Sequence, residues 1–152
     1  MPATAPSSRS RVLAARRTQL VLLALWCGLI ARMTLWPSLG DEKPFALLQS
    51  VLGWAQRTGV PLTFDAVEAF ANVVLFLPFG ALLVLVWRPR RPWWVVAVGC
   101  ATSSTIELTQ LVLLPHRVAT VQDVVLNTAG TAVGVWLGRW LRRRATTAHR
   151  YR

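Results

Sequence analysis

The residues able to do chemistry are few, and they sit where they are expensive. Within otherwise apolar stretches the sequence places Asn72, Glu107 and Asn127, each with a polar companion one helical turn away. Glu68 lies four before Asn72, Gln110 three after Glu107, and Asp123 four before Asn127. Side chains at i and i+3 or i+4 share a helix face, so each pair forms a short polar stripe. A charge at the centre of a hydrocarbon layer costs about 2.5–3.5 kcal/mol on insertion scales, so such stripes need partners or a purpose. Arg32 and Thr34, and His116 with Arg117 in a short turn, can reach the same level. This mixture of donors and acceptors suits recognition of a polar head group. Glu107, partly buried, also has the makings of a general acid or base, with Asp123 set beside Arg117.

Positioning these groups requires helices in lipid. The chain has 152 residues, 54% hydrophobic and 15% charged, which excludes a disordered protein and leaves room for one domain. Four stretches approach the roughly 20 helical residues that span a bilayer: 19–36, 66–87, 93–114 and 121–141. The expected fold is an all-α membrane protein, a bundle of about four transmembrane helices. A short interfacial helix is expected at 44–57 in the first outer loop, where Phe45, Leu48, Leu52 and Ala55 recur at helical spacing before Gly59 and Pro61. Residues 18–141 form the transmembrane domain. Residues 1–17 and 142–152 read as mobile basic tails on the cytoplasmic side.

The net charge of +11 is a topological signal. Thirteen of the 17 basic residues fall before the first stretch, between the second and third, or at the end of the fourth, and no acidic residue accompanies them. The positive-inside rule then puts both termini in the cytoplasm of a multi-pass cell-membrane protein. Arginines that alternate with spans are not a nucleic-acid surface, so no nucleic acid is expected as partner. The partners expected are the bilayer, anionic lipids at the cytoplasmic face, and a second copy of the chain. Trp36, Trp87, Trp93, Trp94, Trp136 and Trp140 mark the interfaces. The first stretch is expected to be retained as a membrane helix rather than cleaved as a signal, because Ala31 is followed by Arg32, Met33 and Thr34 rather than a small-residue site. Cys27 and Cys100 read as packing residues, and no cofactor or metal is implied.

Depth sharpens the picture. Asn72, Glu107 and Asn127 each lie six or seven residues from the outer end of their stretch, about 9–10 Å at 1.5 Å per residue. The expectation is a polar pocket open to the exterior, lined by Arg32, Glu68, Asn72, Glu107, Gln110, Arg117, Asp123 and Asn127. The competing reading makes the same groups interhelical glue. Gly130, Gly134 and Gly138 recur every four residues and, with Gly80, read as close-packing positions. Pro78 strands the Val74 carbonyl, so a kink is expected, with the carbonyl turning to the pocket for a partner.

The stretches TLWP at 34–37, NVVLFLPFG at 72–80 and IELTQLVLLPHRVATVQDVVLNTAGTAVG at 106–134 resemble the VanZ-like family of small membrane proteins. The likeness rests on Glu107, Gln110, Pro115, Arg117, Asp123, Asn127, Gly130 and Gly134 in order and at family-like spacing, and extends from about Leu20 to Leu141. It implies a multi-pass bacterial membrane protein of the cell envelope. The family is named for a member linked to resistance to teicoplanin, a lipid-bearing glycopeptide antibiotic.

Three functions compete. The first is a non-enzymatic binding protein for the head group of an envelope lipid, a cell-wall precursor or a lipoglycopeptide. The second is an enzyme modifying an envelope lipid with Glu107 and Asp123, against which stands the lack of a nucleophile elbow, zinc motif or phosphate loop. The third is transport of a small solute by an oligomer, against which stand the apolar cytoplasmic halves of the second and fourth stretches.

Overall fold

The structure is a computed structural model that describes residues 8–35, 49–50, 52–54, 57–59, 62–113 and 120–148. Its four long helices are α1 (Ser8–Leu35), α2 (Phe64–Trp87), α3 (Trp93–Leu113) and α4 (Val121–Ala148), and the molecule is an all-α membrane bundle. Val12–Leu35, Phe64–Trp87 and Trp93–Leu113 are long and apolar enough to cross a membrane. The fourth helix is long enough but carries Asp123, Asn127, Arg139 and three further arginines.

The two middle helices begin and end within two residues of expectation because the chain itself punctuates them. Thr63 caps α2, its hydroxyl accepting the Ala66 N–H at 3.2 Å. Arg88 closes it in a left-handed conformation (φ 52), donating its N–H to the Val84 carbonyl. The outer two are longer than expected: α1 starts at Ser8 and α4 runs to Ala148, through positions assigned above to tails. Arginine is a good helix former, so nothing in these stretches stops the helix where the apolar residues stop. Of the expected helix at 44–57, residues 49–50, 52–54 and 57 are helical and the rest lie outside the described residues. Gly59 follows with a φ of 77°, the left-handed turn expected to end that segment.

α2 and α4 pack most closely, side by side and parallel. A Cβ at Gly130 would overlap the Val73 carbonyl oxygen, one at Gly134 the Leu77 carbonyl, and one at Gly138 the Ala81 carbonyl and Val84. The contacts advance four residues at a time on both helices, so the glycine repeat is the seam. Thr131, fully buried, sits where three helices meet: a Cβ at Gly80 would strike its backbone and one at Gly99 its side chain. Beyond it Val84, Val95 and Val135 form a small apolar core at the arginine-bearing end. At that same end Trp93 stacks on Trp94, ring centroids 4.1 Å apart, and the Arg144 guanidinium covers Trp140 at 3.9 Å.

Attachment of α1 is looser. Ile30 packs with Phe76, Phe79 and Ile106, while Leu20, Val21, Leu22, Leu25, Leu29 and Met33 are exposed. Cys27 is exposed and Cys100 half-buried, both as free thiols. Cys27 therefore faces outward instead of packing. α2 continues helical through Pro78. The indole N–H of Trp26 donates to the Leu75 carbonyl at 2.8 Å, so the outside donor comes to the carbonyl next to Val74's and from α1.

Candidate functional site

Polar side chains from α2, α3 and α4 meet at the end of the bundle formed by Leu35, Phe64, Leu113 and Val121, with the α1 backbone beside them. Each contact has a local cause. At the start of α4, the Thr120 hydroxyl accepts the Asp123 N–H at 3.1 Å, a helix cap of the usual spacing. In a capping box the acid at the third position would turn back to the cap's own N–H. Here Glu107 of α3 accepts that N–H with Oε2 at 2.9 Å. Asp123 is thereby left to reach across, and its Oδ1 accepts the Asn72 side-chain amide of α2. Both carboxylates lie beside the N-terminus of α4, the positive end of its dipole.

Gln110 is buried and donates Nε2 to the Thr34 carbonyl at 2.8 Å, fastening the last turn of α1. Deeper in the bundle the Asn127 Nδ2 donates to the Ser103 hydroxyl at 2.9 Å. Thr131, a turn further, donates its hydroxyl to the Asn127 carbonyl at 2.9 Å. Asn127 is only 3% exposed, and no donor among the described residues reaches its side-chain oxygen. Burying such an acceptor without a partner costs about 1–3 kcal/mol.

The levels differ from those counted along the sequence. Asn127 does not meet Asn72 or Glu107; it lies a turn deeper, opposite Ser103, and Asn72 instead meets Asp123. α3 runs antiparallel to α4, with Gly99 against Thr131 and Ser103 against Asn127. Four residues further along each helix, the same register brings Glu107 level with Asp123. Depth along a single span does not register which residue faces which neighbouring helix.

Glu68 is exposed a turn beyond Asn72. Arg32 is also exposed, about half a turn round α1 from Ile30, which faces inward. Arg117 and His116 lie outside the described residues. Among the described residues no three His, Cys, Asp or Glu side chains gather as a metal site would need. Sequence reading missed Ser103, Thr120, Gly99 and the indole of Trp26. A hydroxyl or a single glycine in an apolar helix carries no periodic signal. The T-x-x-D at Thr120–Asp123 was the one visible clue.

The family model of VanZ/LLP1 matches residues 8–142, nearly the whole of the described bundle. No curated protein and no solved structure gave a match.

Proposed function

Because the chain belongs to the VanZ/LLP1 family, its work is that of a small membrane bundle, and we propose that it is a non-enzymatic binding protein. In this reading the polar end faces the cell exterior and holds the head group of an envelope lipid, a cell-wall precursor or a lipoglycopeptide. The observation that carries it is the convergence of Asn72, Glu107, Gln110 and Asp123 from three helices at one end of the bundle. Glue alone does not call for two carboxylates at one level, since neutral amides would join the helices at lower cost.

The topology that goes with this reading has four spans. Although α4 is too polar on average to count as apolar, its exposed side chains from Val121 to Leu141 include Val125, Val133, Trp136, Trp140 and Leu141. Asn127, Thr131 and the three glycines are buried in the bundle, while Gln122 near the start of the helix is exposed. Both termini then lie in the cytoplasm, where the arginines of the 88–91 link and of α4 meet anionic lipid head groups at about 1 kcal/mol each.

A glycopeptide-sensitive bacterium expressing the wild-type chain, Glu107→Gln or Asp123→Asn at matched membrane levels tests the proposal. Protection against teicoplanin but not vancomycin, lost in both variants, is expected if the head group bound is that of the lipoglycopeptide. Saturable binding of envelope lipid by the purified chain is the alternative success. Absence of any saturable ligand for a folded chain sinks the reading.

A second reading, an enzyme acting on an envelope lipid, draws on the burial of Glu107, which is 9% exposed and suits a proton-handling acid. It predicts an altered lipid profile on expression, abolished by Glu107→Gln.

A further inference from the structure

Among the described residues, the buried side-chain atom left without a partner is an acceptor, the Asn127 oxygen. Glu107 and Asp123 come level across the α3–α4 interface, and each already holds a donor of the protein. One turn deeper the Asn127 side-chain oxygen is buried, with no donor among the described residues. Helix side chains lean toward their own N-terminus, so Asn127 leans toward the turn of Asp123 and hence toward the two carboxylates. A buried acceptor below a pair of negative charges fits a ligand that carries both positive charge and several N–H groups.

We propose that this site takes a protonated primary amine, with Glu107 and Asp123 opposing its charge and Asn127 Oδ1 accepting one of its three N–H groups. The inference rests on the binding function proposed above and names the head-group chemistry: an ammonium group, not a phosphate or a plain hydroxyl. Asn127 lies about six residues inside α4, or about 9 Å along its axis. That depth suits a small ammonium at the end of a longer molecule. The Ser103 hydroxyl, opposite Asn127 on α3, occupies Nδ2 and so leaves the oxygen for the ligand.

The test uses the purified full chain with lipid retention read by native mass spectrometry. Phosphatidylethanolamine is offered in competition with phosphatidylcholine, which has the same net charge but no N–H on its ammonium group. A second arm compares thermal stabilisation by free ethanolamine and by ethylene glycol. The expected result is at least about tenfold preference for phosphatidylethanolamine, the factor that one hydrogen bond to a charged group supplies. The preference is lost in Asp123→Asn and Asn127→Leu and kept in Thr105→Val, whose hydroxyl bonds within its own helix. Stabilisation by ethanolamine as well identifies a site open to soluble amines; retention of the lipid alone identifies a lipid head group.

Asp123→Asn is nearly isosteric, so it remains informative if Asn127→Leu does not fold. Equal retention of the two lipids with no effect of ethanolamine overturns the inference, as does a preference that survives both variants. Saturable binding of teicoplanin or phosphatidylcholine without preference for the primary amine would overturn this inference and leave the binding function standing. No saturable ligand at all would remove both.

Discussion

The first and last helices make an instructive pair. α1 is strongly apolar through its middle yet meets the bundle along one narrow face, through Leu23, Trp26, Ile30, Leu35 and the Thr34 carbonyl. α4 is far more polar, yet it is the helix against which α2 and α3 are both built. Apolarity measures how readily a segment leaves water, not how tightly it packs once in lipid. Between helices in a membrane there is no hydrophobic gain left to make, so close backbone approach and hydrogen bonds decide the order of association. The helix rich in glycine, threonine and amides is therefore the centre of the bundle.

The largest expected effect separates the two helices at their glycines. Gly134→Leu forces a side chain into the Leu77 carbonyl and Ala81 amide and is expected to cost about 3 kcal/mol. It would be seen as loss of folded protein in thermal unfolding in detergent. Gly28→Leu on α1 meets nothing within 4 Å and is expected to cost nothing. Equal losses at the two positions would erase the distinction.

A middle effect sharpens the role of α4 as a polar partner. Ser103→Ala removes the acceptor that holds the Asn127 amide and leaves that amide buried with neither polar atom satisfied. About 1–3 kcal/mol should be lost in the same unfolding measurement. The smallest effect concerns α1. Trp26→Phe keeps one aromatic ring but deletes the hydrogen bond to Leu75 and part of the indole's packing, so about 1 kcal/mol or slightly more is expected. The accompanying sign is weaker crosslinking between cysteines placed on α1 and α2. A loss larger than that of Ser103→Ala would reverse the ranking of the helices.

How far the sequence carried the reading follows from the same contrast. The limits of α2 and α3 were legible because the apolar stretches break off at the arginine-bearing link between them. The ends of α1 and α4 were not, because arginines prolong a helix as readily as leucines do. The glycine seam was legible as a repeat of four, but its partner carbonyls on α2 were not, since register between helices leaves no trace in either one alone. In the polar end, Asn72, Glu107, Gln110, Asp123 and Asn127 were marked by the cost of burying them. Their pairing was not, because it depends on Ser103 and Thr120, whose hydroxyls look ordinary in any helix.

The central claim is that α4 crosses the membrane with its polar face inward, so that the cluster at its start faces the exterior. The most direct measurement places single cysteines in the full chain after replacing Cys27 and Cys100 by serine, one as Ala119→Cys before α4 and one as His149→Cys after it. Intact cells are then treated with a membrane-impermeant maleimide. The account predicts labelling at 119 from outside and at 149 only after permeabilisation. Labelling of both positions from the same side would contradict it.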